Sequence, residues 1–457
     1  MEILNNNIYI RSDSPVNRLN NLGFNILAVL FWIAQIWAPV DIYVTQGETT
    51  FLQRFFNSPF LFSKMLTPFE ITVIFLSLFL LATFKGYYIK SKFFSWFFWL
   101  NIIIVILSLI NPNNKLTFIY YFVGQGPRIL YLFLLFLFAV TFLRNDIYNS
   151  FISKMFKIGS TIAVLLAIYS FILFLIGKGM IWSGRNVTIS QGDTLEWMVI
   201  FQIIFFMLYF QYKRKKHLII SLLLFMILLF SYRRTGLLEC IFIDFSMIVF
   251  QVVKIKSIFT KLKRILSYGF VLIILLFSLQ YFLPENMIYD FGLRYLGAFS
   301  FFTDQNIQYA EYSDSGHMLQ AITTTRTFFN NIGRFWGSGY KSGGSYYVEG
   351  QSAAIHNSFV NAWATYGLYM TIYLLILTII FILKSINIFF AKNQTIETYS
   401  FIKIAFIFYL ALFFIVGWSN GQSFLGYIQY LTKFVLLVSL LKLDKSYINR
   451  QLHIKKV

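Results

Sequence analysis

The sequence predicts an all-α polytopic membrane protein with about twelve transmembrane helices and one large loop on a single side. Three observations predict it. Of 457 residues, 58% are hydrophobic and only 12% are charged, about half the charged share of soluble domains. Apolar runs of roughly 20 residues, the length that crosses a bilayer, recur along the chain. Basic residues gather in alternate connections between those runs, as the positive-inside rule requires. Runs such as 93–110 and 218–230 are apolar on every face. They therefore read as helices and not as barrel strands, which would alternate with period two.

In order, the spans fall at about 22–40, 69–84, 93–110, 127–143, 158–176, 194–210, 217–232, 235–253, 265–283, 358–383, 401–418 and 424–441. One set of connections carries Lys85, Lys90 and Lys92, then Arg144, Lys154 and Lys157, then Lys213 to Lys216, then Lys254, Lys256, Lys261, Lys263 and Arg264. The C-terminal tail adds Lys442, Lys445, Arg450, Lys455 and Lys456. The opposite set is poor in Lys and holds the long polar loop 284–355. Both termini are then cytoplasmic, and the loop lies outside the cytoplasm, in the periplasm of a double-membraned cell. The N-terminus carries Asn and Arg ahead of its first span and has no small-residue cleavage site, so it reads as a retained signal anchor. The division is 1–283 (spans one to nine), 284–355 (an outer cap) and 356–457 (the last three spans and tail). Within the cap, 315–335 has helical spacing, and Gly, Ser and Tyr make 341–350 irregular.

A net charge of +20 suggests nucleic acid, but the charge is spread over short loops and forms no single patch, so nucleic acid is excluded as a partner. Cys240, the single cysteine, lies inside span eight; this excludes a disulfide framework and a thiolate metal site. No matching pair of broken helices and no internal repeat marks a secondary transporter.

The outer-face cations sit at helix ends: Arg128 at the start of span four, Arg185 before span six, Arg233 and Arg234 in the tight turn between spans seven and eight, and Arg294, Arg326 and Arg334 in the loop. Each one either snorkels to lipid phosphates or contributes to an anion site, since guanidinium forks bind phosphate oxygens bidentately. For Arg233 and Arg234 the anion site is favoured. Adjacent arginines in so short a turn repel unless an anion lies between them, and the turn opens a helix N-terminus whose free N–H groups favour anions. Glu196 and Glu239 lie near enough to accept from these arginines.

Four histidines are present. His217 and His453 read as solvated members of cytoplasmic basic clusters, and His317 lies in the loop. His356 stands at the outer boundary beside Asn357, with Asn361 and Thr365 following at helical spacing. A lone His there is more often a cap or interfacial residue than a catalyst. The polar stripe facing the arginines makes it the candidate general base. Asp244 and Lys433, each about nine residues into its span, fall at similar depth by the helical rise. Lone charges at that depth seek partners, so a structural ion pair is expected in preference to a proton relay.

Ser231-Tyr232-Arg233-Arg234-Thr235-Gly236 after a hydrophobic span resembles the Ser-x-Arg-Thr/Gly turn of the O-antigen polymerase and O-antigen ligase superfamily of bacterial envelope glycosyltransferases. Gly337-Ser338-Gly339-Tyr340, then His356-Asn357-Ser358-Phe359, then Tyr366-Gly367-Leu368 are similar to that family's Gly-x-Gly, His-Asn-x-aromatic and Gly-Leu elements. Arg185 before span six is a weaker third match. Where members carry Arg shortly after Ser-Gly in the outer loop, this chain has His317, and Arg326 stands in for it. The resemblance covers the C-terminal two-thirds and implies a GT-C-like fold in the inner membrane. It also implies an inverting, metal-independent transfer from an undecaprenyl-diphosphate-linked sugar at the periplasmic face, without a cofactor. No Asp-x-Asp pair lies outside the spans to hold a metal. The implied roles are diphosphate binding by Arg233, Arg234, Arg326 and Arg185, base catalysis by His356, and further substrate contacts from Asn357, Arg128 and Arg294. The partners are the undecaprenyl-diphosphate-linked oligosaccharide and membrane lipids, with a polysaccharide chain-length regulator as a further candidate. The expected activity is polymerisation, which moves a growing glycan onto the next lipid-linked repeat unit. The alternatives are a ligase that uses lipid A-core as acceptor and a flippase for lipid-linked oligosaccharide. A flippase would line a central cavity with charge, whereas here the arginines gather at one face.

Overall fold

The structure is a computed structural model. It describes residues 22–37, 110–113, 145–182, 185–189, 192–231, 234–253, 335–337, 345–348, 351–354 and 367–389, with scattered helical positions between 55 and 107 and between 257 and 270, and Trp363. The described part is mostly helical. Helix α1 (Leu22–Trp32) runs into a π-helical turn, Ile33–Trp37. Helix α2 (Asn145–Leu175) leads to a β-hairpin of β1 (Met180–Trp182) and β2 (Arg185–Val187). Helices α3 (Gly192–Tyr212), α4 (Lys215–Leu229) and α5 (Arg234–Val253) follow. A second hairpin, β3 (Ser345–Val348) with β4 (Gln351–Ala354), precedes α6 (Leu368–Phe389). Among the described residues one helix, Lys154–Leu175, is long and apolar enough to cross a membrane, and Leu22–Trp37 and Thr194–Phe210 are shorter apolar helices.

Helix α3 is the centre of the described bundle. Every residue from 194 to 205 is buried, so the helix has no exposed face over three turns, as expected for a helix apolar on all sides. It packs chiefly against α4, then α5, the π-helical turn and α2. Trp32 of α1 packs edge-on to Trp197, with ring centres 4.8 Å apart, and lies 5.6 Å from Phe201. Gly159 of α2 makes room for it, since a Cβ there would stand 2.5 Å from the Trp32 ring. Small residues let helix axes approach closely where large aromatics must fit.

The contacts also fix direction. Lys154 lies over Phe24 (5.2 Å), Gly159 meets Trp32, and Tyr169 stacks on Trp37 (5.9 Å), so α1 and α2 run parallel. Thr194 bonds Ile36, Trp197 bonds Gln35, and Phe205 meets Phe156, so α3 runs the opposite way. Gln202 meets Ser221 and Phe205 meets His217, which turns α4 back again. Gln202 meets Asp244 and Val199 meets Gly236, so α5 runs with α3.

The ends of these helices differ from the sequence reading in physically instructive ways. Helix α2 begins at Asn145 and not near 158, because Lys and Asn do not break a helix. It stops as expected: Gly177 takes φ +72°, and its N–H donates to the Phe174 carbonyl (3.1 Å) while Lys178 N–H donates to that of Leu173 (2.8 Å), a Schellman stop. Within 341–350, expected to be irregular, residues 345–348 form a strand that pairs with 351–354 in the β3–β4 hairpin, Tyr346 opposite Ala353 and Val348 opposite Gln351. Its two-residue connection leaves only Glu349 and Gly350 for the turn, a short loop of the kind hairpins favour. The region 315–334, expected to be helical, lies outside the described residues. The tenth span, placed at 358–383, contains a long helix that begins only at Leu368. Gly367 just before it has φ +122°, and its backbone bridges Trp336 while Leu368 N–H donates to the Phe335 carbonyl (3.0 Å).

A Cβ on Gly367 would fall 2.1 Å from the Phe335 carbonyl oxygen, and φ +122° is strained for any other residue. Gly367→Ala is therefore expected to destabilise the protein by on the order of 1–3 kcal/mol or more, read as a lowered Tm in detergent by circular dichroism. An unchanged Tm would show that the 335–337 clamp contributes nothing to stability.

Candidate functional site

The turn singled out in the sequence joins α4 to α5. Helix α4 closes at Leu229, with Phe230 N–H donating to the Met226 carbonyl (3.0 Å) and the buried Ser231 hydroxyl donating to that of Leu228 (2.6 Å). Arg234 already opens α5. Two residues of the motif thus have clear local work. Ser231 satisfies a carbonyl that a helix end leaves free. Gly236 allows close approach of α5 to α3, since a Cβ would stand 3.1 Å from a Val199 methyl carbon. Below the turn, Phe174, Leu229, Phe230 and Leu237 form a buried cluster, with the Phe174 and Phe230 rings stacked at 4.9 Å. The turn stands on this aromatic base.

The β1–β2 hairpin meets the same end of the bundle. Asn186 donates from Nδ2 to the Phe174 carbonyl (3.0 Å), and Thr188 donates from its hydroxyl to that of Ile227 (2.8 Å) and from its N–H to that of Phe230 (3.2 Å). Arg185 opens β2 opposite Trp182. Its backbone is therefore three residues along an extended strand from the residue that holds the end of α4, roughly 10 Å of chain. The backbones of Arg185 and Arg234 are thus brought to one end of the described bundle. Glu196 and Glu239, expected near the arginines, are buried side chains on the two helices that start at that end. Arg234 opens a 20-residue helix with no acidic residue in its first turn. A cation opposes the positive pole there, so this end is electrostatically open to an anion.

A second constellation lies elsewhere. Asn113 donates from Nδ2 to the Gly337 carbonyl (2.8 Å). Gly337 adjoins the Trp336–Gly367 bridge, and the Phe335, Trp336 and Tyr369 rings pack together at 4.9–6.1 Å. Two pieces of sequence singled out separately, 337–340 and 366–368, are therefore neighbours at 337 and 367. Arg233, Arg128, Arg294, Arg326, His356, Asn357 and Lys433 lie outside the described residues, as do the side chains of Arg185 and Arg234.

Asp244 lies within α5 as expected, and it takes a hydrogen bond from Gln202 Nε2 (2.7 Å); its expected partner Lys433 is outside the described residues. The same Gln202 Nε2 reaches Ser221 Oγ (3.2 Å), and Ser221 Oγ reaches the Gln202 carbonyl (3.3 Å). Sequence reasoning missed Gln202 and Ser221. The available signal was a glutamine in the middle of an apolar run, since polar side chains at that depth need partners. It also missed the π-helical turn at Gln35, whose side-chain oxygen accepts from Trp197 Nε1 (3.3 Å). His217, expected to be solvated, is half-buried, with its ring stacked on Phe205 at 6.0 Å. Among the described residues no group of three or more His, Cys, Asp or Glu side chains could hold a metal ion. In comparisons with known proteins, no family model, no curated protein and no solved structure matches this chain.

Proposed function

We propose that this chain is a twelve-span inner-membrane glycosyltransferase, an O-antigen or related polysaccharide polymerase. It moves a growing glycan from undecaprenyl diphosphate onto a lipid-linked repeat unit at the periplasmic face. The observation that carries the reading is the α4–α5 turn. Arg233 and Arg234 occupy a connection so short that α5 starts at Arg234, on a helix whose first turn holds no acidic residue and beside the hairpin bearing Arg185. A diphosphate is the ligand that such an end of a bundle suits, because it answers the guanidinium charges and the helix pole together.

Three further points support it. The parallel run of α1 and α2 fits an odd number of spans between them, as expected from 69–84, 93–110 and 127–143. The directions of α1 to α5 fit an alternation that puts the β1–β2 hairpin and the arginine turn outside. The adjacency of Gly337 and Gly367 fits a cap that closes onto the last group of spans.

In the reaction the acceptor sugar hydroxyl attacks the anomeric carbon as the bond to the diphosphate oxygen breaks, with inversion. His356 takes the hydroxyl proton. The arginines stabilise the charge that develops on the departing diphosphate, the role preorganised donors play best in a water-poor site.

Purified protein incubated in detergent and EDTA with only the undecaprenyl-diphosphate repeat unit should give a ladder of lengthening glycans on a gel. Transfer only after lipid A-core is added would make it a ligase, and inactivity with both would overturn the reading. Arg233→Ala and Arg234→Ala should each weaken donor binding while membrane insertion is kept. A loss of about 10²–10³ in rate is the scale for removing one preorganised donor to a developing charge. His356→Ala should keep donor binding, measured by ligand-induced thermal stabilisation, and lose about 10²–10⁴ in transfer rate. Wild-type transfer by His356→Ala would remove it as the base.

A further inference from the structure

The Gln202, Ser221 and Asp244 cluster belongs to none of the chemistry above. It joins three helices well inside the bundle: Gln202 is eight residues beyond Thr194 on α3, and Asp244 is ten residues into α5, some 12–15 Å along each helix by the helical rise. Gln202 and Ser221 are 1% exposed. The donors in the cluster are spent. Gln202 Nε2 faces Asp244 Oδ2 and Ser221 Oγ, and the Ser221 hydroxyl faces the Gln202 carbonyl. Two acceptors remain: Gln202 Oε1 and Asp244 Oδ1 are both buried and have no hydrogen-bond partner among the described residues. Turning the amide over would face its oxygen towards the carboxylate and leave the cluster with less satisfaction, so the assignment is fixed by its neighbours. Buried acceptors left in this state are costly, and both lie on the two side chains already joined by the shortest bond in the cluster.

We propose that this cluster is a binding site for one hard monovalent cation of the Na+ class. Gln202 Oε1 and Asp244 Oδ1 are its principal ligands, with Ser221 Oγ as a third oxygen. Oxygen-only donors suit a hard ion and exclude a soft one. One carboxylate balances one positive charge; a divalent ion would leave a net charge in an apolar interior, which is expensive. Gln202 and Ser221 are sealed in, and Asp244 is the least covered residue of the three although its Oδ1 is buried. The bound ion ties α3, α4 and α5 together below the turn that carries Arg233 and Arg234. The proposal does not depend on the glycosyltransferase reading.

The test is thermal unfolding of the full-length protein in detergent, titrated with NaCl against choline chloride at constant ionic strength. Selective binding to the folded state raises Tm with ion concentration. The wild type should show a saturable rise in Na+ and none in choline. Asp244→Asn should melt identically in both salts. Ser221→Ala, which keeps the carboxylate in place, should need at least about tenfold more Na+ for the half-maximal rise, and it decides the matter if Asp244→Asn fails to fold. Identical wild-type melting in the two salts would overturn the proposal. A Na+ response retained in both variants would overturn it equally.

Discussion

The complete burial of α3 from 194 to 205 is the constraint on which the rest of the described structure depends. A helix without an exposed face must meet a neighbour in every direction, and those neighbours set the positions of everything else. Trp32 reaches it from α1 only because Gly159 clears the space on α2. Helix α5 comes close to it at Gly236, where a Cβ would crowd a Val199 methyl carbon at 3.1 Å. In the membrane proposed above the surroundings would be as apolar as the side chains, so burial alone would give helices little reason to associate. Close fit and a few internal hydrogen bonds must supply it. The edge-on Trp32–Trp197 pair at 4.8 Å and the Gln35–Trp197 bond show both sources on one residue of α3.

The helices were legible in the sequence because hydrophobic runs of that length leave little choice, and their stops were legible where glycine marks them, as at Gly177. What was not legible was mostly local. The three-residue strands of β1 and β2 are too short for a period-two pattern to register, although Ser183 and Gly184 are ordinary hairpin-turn residues. The π-helical turn at Ile33–Trp37 has no sequence signature, because it depends on what Gln35 and Thr194 find to bond. The start of α6 at Leu368 is set by a tertiary contact with Phe335, a residue distant in the chain. Position in the sequence made His217 look solvated, but Phe205 on the facing helix covers it. Of the candidate site, the tightness of the turn placed at 232–235 was readable from spacing. That Arg185 approaches the same end was not, because Asn186 and Thr188 establish it through carbonyls on other helices.

Two kinds of polar feature separate by depth. Near the hairpin end, hydroxyls and amides close helix termini and the charges belong to arginines at a turn. Deeper in, between α3, α4 and α5, Gln202 and Asp244 carry oxygens that need a donor. The first arrangement suits the diphosphate site proposed above. The second suits a small ion held for its effect on the helices. Lys154 on Phe24 and Lys213 beside the Tyr209 and Phe210 rings (5.5 and 4.8 Å) show how cations at the opposite end are held against aromatic faces.

The β1–β2 hairpin has a mechanical consequence. Asn186 grips the last turn of α2, and Thr188, just past the end of β2, grips the last turn of α4, so two helices that are not consecutive in the chain end on three successive residues. An extended strand barely stretches. Neither helix can therefore slide along its axis or unwind its final turn without dragging the other, and α2 and α4 move as one strut. The arginine turn, which hangs from the end of α4, is steadied by a helix it is not joined to.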